Sequence, residues 1–222
     1  MAYTGDVVVH GPSDTRTLDA LVIRKASVGP MDNNTYLLTC RHTGRQLLID
    51  AAADPERLLG LVREGSRSAT LESVVTTHRH RDHHDGLESL VAVTGARSFA
   101  GTADAHALPV TTEHLRHGDV ITVGQVALEV ISLRGHTPGS VALAYHAPAA
   151  HGGVHLFTGD SLFPGGPGKT ATPGDFEQLM NDLEQRVFGA YDDTTWVYPG
   201  HGRDTTLGAE RPALGEWRAR GW

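Results

Sequence analysis

A chain of 222 residues with 39 % hydrophobic and 20 % charged residues has the composition of a folded protein, not of a disordered one. Its formal net charge of −7 disfavours a nucleic-acid partner, which needs clustered Lys and Arg, and no apolar stretch approaches the roughly 20 residues of a membrane-spanning helix. One cysteine, Cys40, cannot form an internal disulfide, and the polar N-terminus lacks a signal peptide's apolar segment, so the expected location is the cytoplasm.

In chain order, Val7-Val8-Val9 precedes the turn-forming Gly11-Pro12-Ser13-Asp14 and reads as an edge strand or an extended arm. Leu18 to Lys25, Thr35 to Cys40 and Gln46 to Ile49 are three β-like runs, an antiparallel meander whose first connection is the loop 29–34. Asp54-Pro55 supplies an N-cap and a proline at the first helical position, and Leu58, Leu59, Leu61 and Val62 continue at helical spacing toward Gly65. Leu71 to Thr77 is short and β-branched, a buried strand. Leu87, Leu90 and Val91 give the face of a second helix that Gly95 ends, and Arg97 to Ala100 is a brief strand. The polar segment Asp104 to His117, broken by Pro109, takes no assignment.

A second group of strands follows at 120–123, 126–133, 141–145 and 154–157. Thr172-Pro173-Gly174-Asp175 then opens a helix with the apolar stripe Phe176, Leu179, Leu183 and Val187, and Trp196 to Tyr198 is a last strand. The tail from Glu210 through Trp217 and Trp222 is expected to pack on the body of the protein or between subunits of a homo-oligomer. Strands and helices thus occur twice in similar order, and two sheets packed face to face with helices outside would bury them.

One stretch demands a chemical reason. Between Thr77 and Gly86 stand His78, His80, Asp82, His83 and His84, directly after the buried strand. Imidazoles crowd together at low cost when a cation shares them, and neutral imidazole is a common ligand for zinc and related metals. His78 and His80 point the same way if the backbone there is extended, while Asp82 and His83 follow at a helix start, so one pair can face one ion and the next pair another. The alternative is a surface cluster in a chain that holds 14 histidines. His84, adjacent to this set, reads as structural or solvent-facing. Three more ligand-type residues sit beside glycine at predicted strand ends: His136 in Gly135-His136-Thr137-Pro138-Gly139, Asp160 in Gly159-Asp160-Ser161 and His201 in Gly200-His201-Gly202. Gly165 to Thr170 looks like a phosphate loop but has Phe163 where that motif needs its first glycine. It reads as a loop lining a substrate site, with Lys169 available to a substrate carboxylate or phosphate.

In this order the residues resemble the metallo-β-lactamase-fold hydrolases, and among them the glyoxalase II-like branch. The His-x-His-x-Asp-His signature is matched by His78, His80, Asp82 and His83, the later motifs by His136, Asp160 and His201, over about residues 20 to 206. The resemblance implies an α/β protein, an αββα sandwich of two mixed β-sheets with helices on both outer faces. It also implies two divalent metal ions per chain, zinc with iron or manganese as alternatives. His78, His80 and His136 would hold one, Asp82, His83 and His201 the other, and Asp160 would bridge them. The bridging Asp counts against antibiotic hydrolysis. Residues 1–222 read as a single domain of this fold, without the C-terminal helical domain that binds glutathione in glyoxalase II proper, which leaves the thiol carrier open.

Two cations about 3.5–4 Å apart can share a water, lower its pKa and make hydroxide available to attack a carbonyl carbon, while one of them polarises the carbonyl oxygen. The expected activity is hydrolysis of a small-molecule thioester or ester, with Asp82 orienting the nucleophile or passing a proton besides ligating. The alternative enzyme is a mononuclear iron persulfide dioxygenase of the same fold, using His78, His136 and Asp160. A non-catalytic metal-binding module and a nuclease are the remaining readings, the latter opposed by charge.

Overall fold

Period-two alternation sorts the strand residues onto two faces, and both faces are covered. The computed structural model describes residues 2–66, 70–148 and 153–221. The first sheet has seven strands in chain order: β1 (Asp14–Thr17), β2 (Leu21–Val28), β3 (Asn33–Cys40), β4 (Arg45–Ile49), β5 (Thr70–Thr76), β6 (Arg97–Gly101) and β7 (Thr112–Leu115). Its pairings are antiparallel through β4 and parallel from β4 to β7. The chain continues through β8 (Val120–Val123), β9 (Val126–Ser132), β10 (Val141–His146) and β11 (Val154–Gly159), then a separate small hairpin of β12 (Leu162–Phe163) and β13 (Gly166–Pro167). With β14 (Trp196–Pro199) and β15 (Thr205–Thr206), the second sheet runs β15-β14-β11-β10-β9-β8, and only its β11–β14 pair is parallel.

Between the sheets lie Tyr36, Leu38, Leu47, Ile49 and Val75 from one side and Leu128, Val130, Val141, Leu143 and Phe157 from the other. The intervening residues of the same strands face outward. Leu37 and Leu48 meet Leu58 and Leu61 of α1 (Pro55–Gly65) and Leu87 and Leu90 of α2 (Leu87–Thr94). On the far face Ile131, Ala142 and Ala144 meet Phe176, Leu179 and Leu183 of α3 (Pro173–Leu183). The tail forms α4 (Leu207–Glu210) and α5 (Leu214–Arg220), and Trp217, 1 % exposed, packs into this same layer. The expected αββα order of layers is therefore present, with two mixed sheets. No helix among the described residues is long and apolar enough to cross a membrane. Trp222 lies outside the described residues.

Local departures from the sequence reading have identifiable causes. Val7 to Val9 forms no strand beyond a Val9–Ser27 bridge. The edge strand is β1, and Asp14 at its start folds the preceding segment back by accepting from the Thr4 and Gly5 amides at 2.8 and 2.9 Å. Asp54 precedes α1 but does not cap it: with φ at 51° it is left-handed, and its carboxylate accepts from Gly29 N at 2.9 Å. Thr172 does cap α3, accepting from Asp175 N at 3.2 Å. The helix expected to begin at Asp82 is a single 3-10 turn, Arg81–His83. The unassigned segment 104–117 holds another 3-10 turn and β7, an edge strand that pairs with β6 alone.

Candidate metal centre

The C-terminal ends of β4, β5, β11 and β14 open at one rim of the sandwich, and the β9–β10 and β2–β3 connections reach the same rim. His78 to His83 follow β5, Asp160 follows β11, His201 follows β14 and His136 lies in the β9–β10 connection. His78, His80, Asp82, His83, His136, Asp160 and His201, from segments up to 123 positions apart (78 to 201), are thereby brought to one place.

Three sets of donor atoms lie within 4.8 Å of one another: His78, His80 and His136; His78, His83 and Asp160; Asp82, His83 and His201. In the first, His136 Nε2 is 3.2 Å from His78 Nε2 and 3.0 Å from His80 Nδ1. In the third, His201 Nε2 is 3.2 Å from His83 Nε2 and 3.5 Å from Asp82 Oδ2. Asp160 stands between, with Oδ1 3.3 Å from His83 Nε2 and Oδ2 3.6 Å from His136 Nε2 and 3.5 Å from His201 Nε2. Donor atoms about 2.1 Å from one ion sit roughly 3.0 Å apart at right angles and roughly 3.4 Å apart in a tetrahedron. The observed spacings, 3.0–3.6 Å, fall within or just above that range.

The rear nitrogens fix which face of each ring is basic. His136 Nδ1 donates to the Lys169 carbonyl at 2.6 Å and His201 Nδ1 to the Met31 carbonyl at 2.9 Å. His83 Nδ1 donates to Asp50 Oδ2 at 2.8 Å. The Thr77 hydroxyl donates to Asp50 Oδ2 at 2.8 Å, so its oxygen accepts from His78 Nδ1 at 3.0 Å. With each Nδ1 carrying the proton, the Nε2 lone pairs of His78, His83, His136 and His201 all turn toward one another and toward two carboxylates. Asp160 Oδ1 is buried and has no hydrogen-bond partner. Such an acceptor cluster collects positive charge. Burial opposes a charge on His83, but Asp50 and Asp160 outweigh it and hold the ring up at about 10, so a proton sits on its Nε2 unless a metal cation displaces it. Burial, and next the charge on His83, keeps His78 well below the usual histidine range. Burial works to raise Asp160, and the His201 and His83 rings beside it prevail, holding it far below the carboxylate range. The donor set therefore fits divalent cations.

Supporting residues that the sequence reading passed over hold this arrangement. Asp50, buried and at φ 57°, accepts from Thr77 N at 2.7 Å as well as from His83 and Thr77 Oγ1. Asn33 Nδ2 donates to Asp82 Oδ2 at 2.9 Å. Fully buried Asp104 accepts from Arg79 N at 3.0 Å, Gly139 N at 3.0 Å and Thr137 Oγ1, tying the His78–His80 loop to the His136 loop. Asp50 did carry one readable sign, a ligand-type residue at a strand end. Gly200 is required by close approach, because a Cβ there would lie 2.1 Å from Asp160 Oδ1. His84 stays out of the cluster and donates Nε2 to the Arg79 carbonyl at 3.1 Å. Lys169 is exposed, and its carbonyl, not its ammonium, makes the contact with His136.

A family model described as the metallo-beta-lactamase superfamily matches residues 28–201. A hydroxyacylglutathione hydrolase of Jannaschia sp. is 38 % identical over 172 residues, covering 77 % of this chain and 62 % of the relative. The chain thus spans less than two thirds of that relative's length. Among solved structures, the di-iron-bound form of TTHA1623 is similar with a TM-score of 0.70 and 29 % identity, over 84 % of this chain and 96 % of that one. ETHE1 from Myxococcus xanthus is similar at the same TM-score of 0.70 with 28 % identity, over 85 % and 81 % of the two chains. Since one family model takes in most strands of both sheets and all seven clustered residues, the chain belongs to the metallo-beta-lactamase superfamily, where its relatives include hydroxyacylglutathione hydrolases.

Proposed function

We propose that this protein is a dinuclear metal-dependent hydrolase that cleaves a small-molecule thioester. The observation that carries the reading is the convergence of four imidazole lone pairs and two carboxylates from four separate segments. His78, His80 and His136 are assigned to one ion, Asp82, His83 and His201 to the other, and Asp160 to both, with zinc as the metal. Bound divalent cations would supply an acidified water and a charge that polarises the carbonyl.

The remaining work falls to the chain. Asp50 and Asn33 hold ligand side chains, and Asp104 holds the loops that carry them, so that little reorganises during turnover. Asp82 is assigned to orient the attacking water and take up its proton. Lys169, beyond His136, is assigned to an anionic part of the thiol carrier. Water is consumed, its oxygen ending in the carboxylic acid and a proton on the released thiol. The identity of the Jannaschia relative as a hydroxyacylglutathione hydrolase supports the thioester class.

A second reading is oxidation of a persulfide at a single iron held by His78, His136 and Asp160; the two irons of TTHA1623 support iron as the metal but not a single ion. One experiment separates them. Metal content is measured on protein purified without chelator, and the zinc-loaded protein is assayed anaerobically with acyl thioesters. Two metals per chain with free thiol and acid as products are expected. A maximum of one ion, or iron-dependent oxygen uptake with a persulfide and no thioester cleavage, overturns the proposal.

A further inference from the structure

Beside the ligand cluster, on the Asp82 side, lies a cleft of ≈ 280 Å³. One wall is Pro30 and Met31 from the β2–β3 connection, and the other is Ala52 and Ala53 from the segment between β4 and α1. The walls are built, not incidental. The Ala51 and Ala52 carbonyls accept from Gly86 N at 3.0 Å and Asp85 N at 3.1 Å, so these carbonyls already have partners. Gly29 N donates to Asp54 Oδ2 at 2.9 Å and ties the two walls together. Met31 is 60 % exposed, among the few large apolar side chains left open, and nothing in the folding of the sandwich requires an apolar residue there. Asn33 and Asp82 form the inner end, so the cleft runs directly into the proposed metal centre. At its mouth Arg81 and Asp85 neutralise each other at 2.8 Å.

We infer that this cleft is the subsite for the acyl group of the substrate, and that it takes an uncharged aliphatic chain. The inference rests on the thioester reading and on Lys169 as the carrier's anchor, whereas the lining of the cleft stands independently of both. Lys169, whose backbone carbonyl meets His136 in the other ligand set, is the residue assigned above to the anionic carrier. A scissile carbonyl placed over the ligand cluster with its carrier toward Lys169 directs its acyl group past Asp82 between Met31 and Ala53. An acyl chain carrying charge would meet walls without a partner for it, since Arg81 and Asp85 hold each other. Apolar contact there gains affinity by removing methylenes from water.

The test uses aliphatic hydroxamates of two to six carbons, binding of which to the zinc-loaded protein is measured by calorimetry, alongside turnover of acyl thioesters of matching length. Each methylene that enters the cleft raises affinity by about fourfold. The ratio of hexanohydroxamate to acetohydroxamate affinity should therefore be large in the native protein. It should fall at least threefold in Met31→Gln, a polar replacement of similar size at an exposed position, and recover in Met31→Leu. Ala53→Leu, which fills the inner wall, should remove the gain for long chains only. A flat chain-length series in the native protein, or a series unchanged in Met31→Gln and Ala53→Leu alike, overturns the inference. A chain-length gain lost in both variants, with no thioester cleaved, upholds the aliphatic subsite and overturns the proposed reaction instead.

Discussion

Replacing Lys25 by methionine probes the contact that anchors the His201 loop. Lys25 is fully buried on β2, and its ammonium donates to Asp204 Oδ1 and the Gly202 carbonyl at 2.7 Å each and to the Gly5 carbonyl at 2.8 Å. Asp204 Oδ2 accepts from Tyr3 Oη at 2.6 Å and Trp196 Nε1 at 3.0 Å. Methionine keeps the length of the side chain and removes the charge, leaving a buried carboxylate with two neutral donors. Removing one partner of a buried pair costs about 3–5 kcal/mol, and the surviving donors place Lys25→Met near the lower end. At about 2–4 °C per kcal/mol for a chain of this size, the melting temperature should drop by about 6–12 °C. Lys25→Met with Asp204→Asn removes both charges and should recover part of that loss. Gly202 directly follows His201, so the single variant should also weaken binding of one metal ion while the other is retained. Thermal unfolding followed by circular dichroism gives the first number and metal titration the second. A melting temperature within 2 °C of the native protein's, a threshold well below the shift of about 6 °C expected from the pair, would refute the argument that this pair clamps the loop.

Three further outcomes are expected. Asp160→Ala removes the carboxylate between the two ligand sets and should lower turnover by more than the about 10–100-fold typical of an outer metal partner, with the circular dichroism spectrum retained; full metal occupancy with native turnover would contradict the bridging role. Lys169→Ala should raise KM more than it lowers kcat, and an unchanged KM across anionic thioesters would remove its side chain from the site. His155 is buried, its Nδ1 is hydrogen-bonded with Tyr198 Oη at 2.9 Å, and burial together with nearby Arg16 lowers it to about 4. Because its folded pKa lies below the unfolded value, its contribution is intact above pH ~6.5 and is lost as pH falls toward about 4. At pH 5 that amounts to about 2 kcal/mol, which His155→Leu should abolish in urea unfolding measured at pH 7 and at pH 5; an equally steep acid limb in the variant would assign the loss to other groups.

Much of the architecture could be read from local pattern. Alternation along Thr35 to Cys40 and Gln46 to Ile49, the stripe Phe176-Leu179-Leu183 and the cap at Thr172 are local, since a strand or helix buries whichever face its period makes apolar. The compact spacing from His78 to His83 announces a cation site for the same reason: like ligands crowded in one short stretch need a shared charge. Segments whose conformation answers to distant partners could not be read this way. Thr112 to Leu115 is a strand because β6 offers it an edge, and Asp54 leaves the cap position because Gly29 N needs an acceptor. The roles of Asp50, Asn33 and Asp104 likewise exist only across contacts separated by 33, 49 and 25 residues.

The sequence by itself determined the types of ligand and the strand ends that carry them, because residue chemistry and backbone period are local properties. Only the tertiary structure decided which nitrogen of each ring faces the cluster and where Asp160 stands between the two sets. It also turned Met31 and Ala53 into facing walls of one cleft. Each of these depends on a hydrogen bond or a packing contact between segments that meet solely because two sheets share one core.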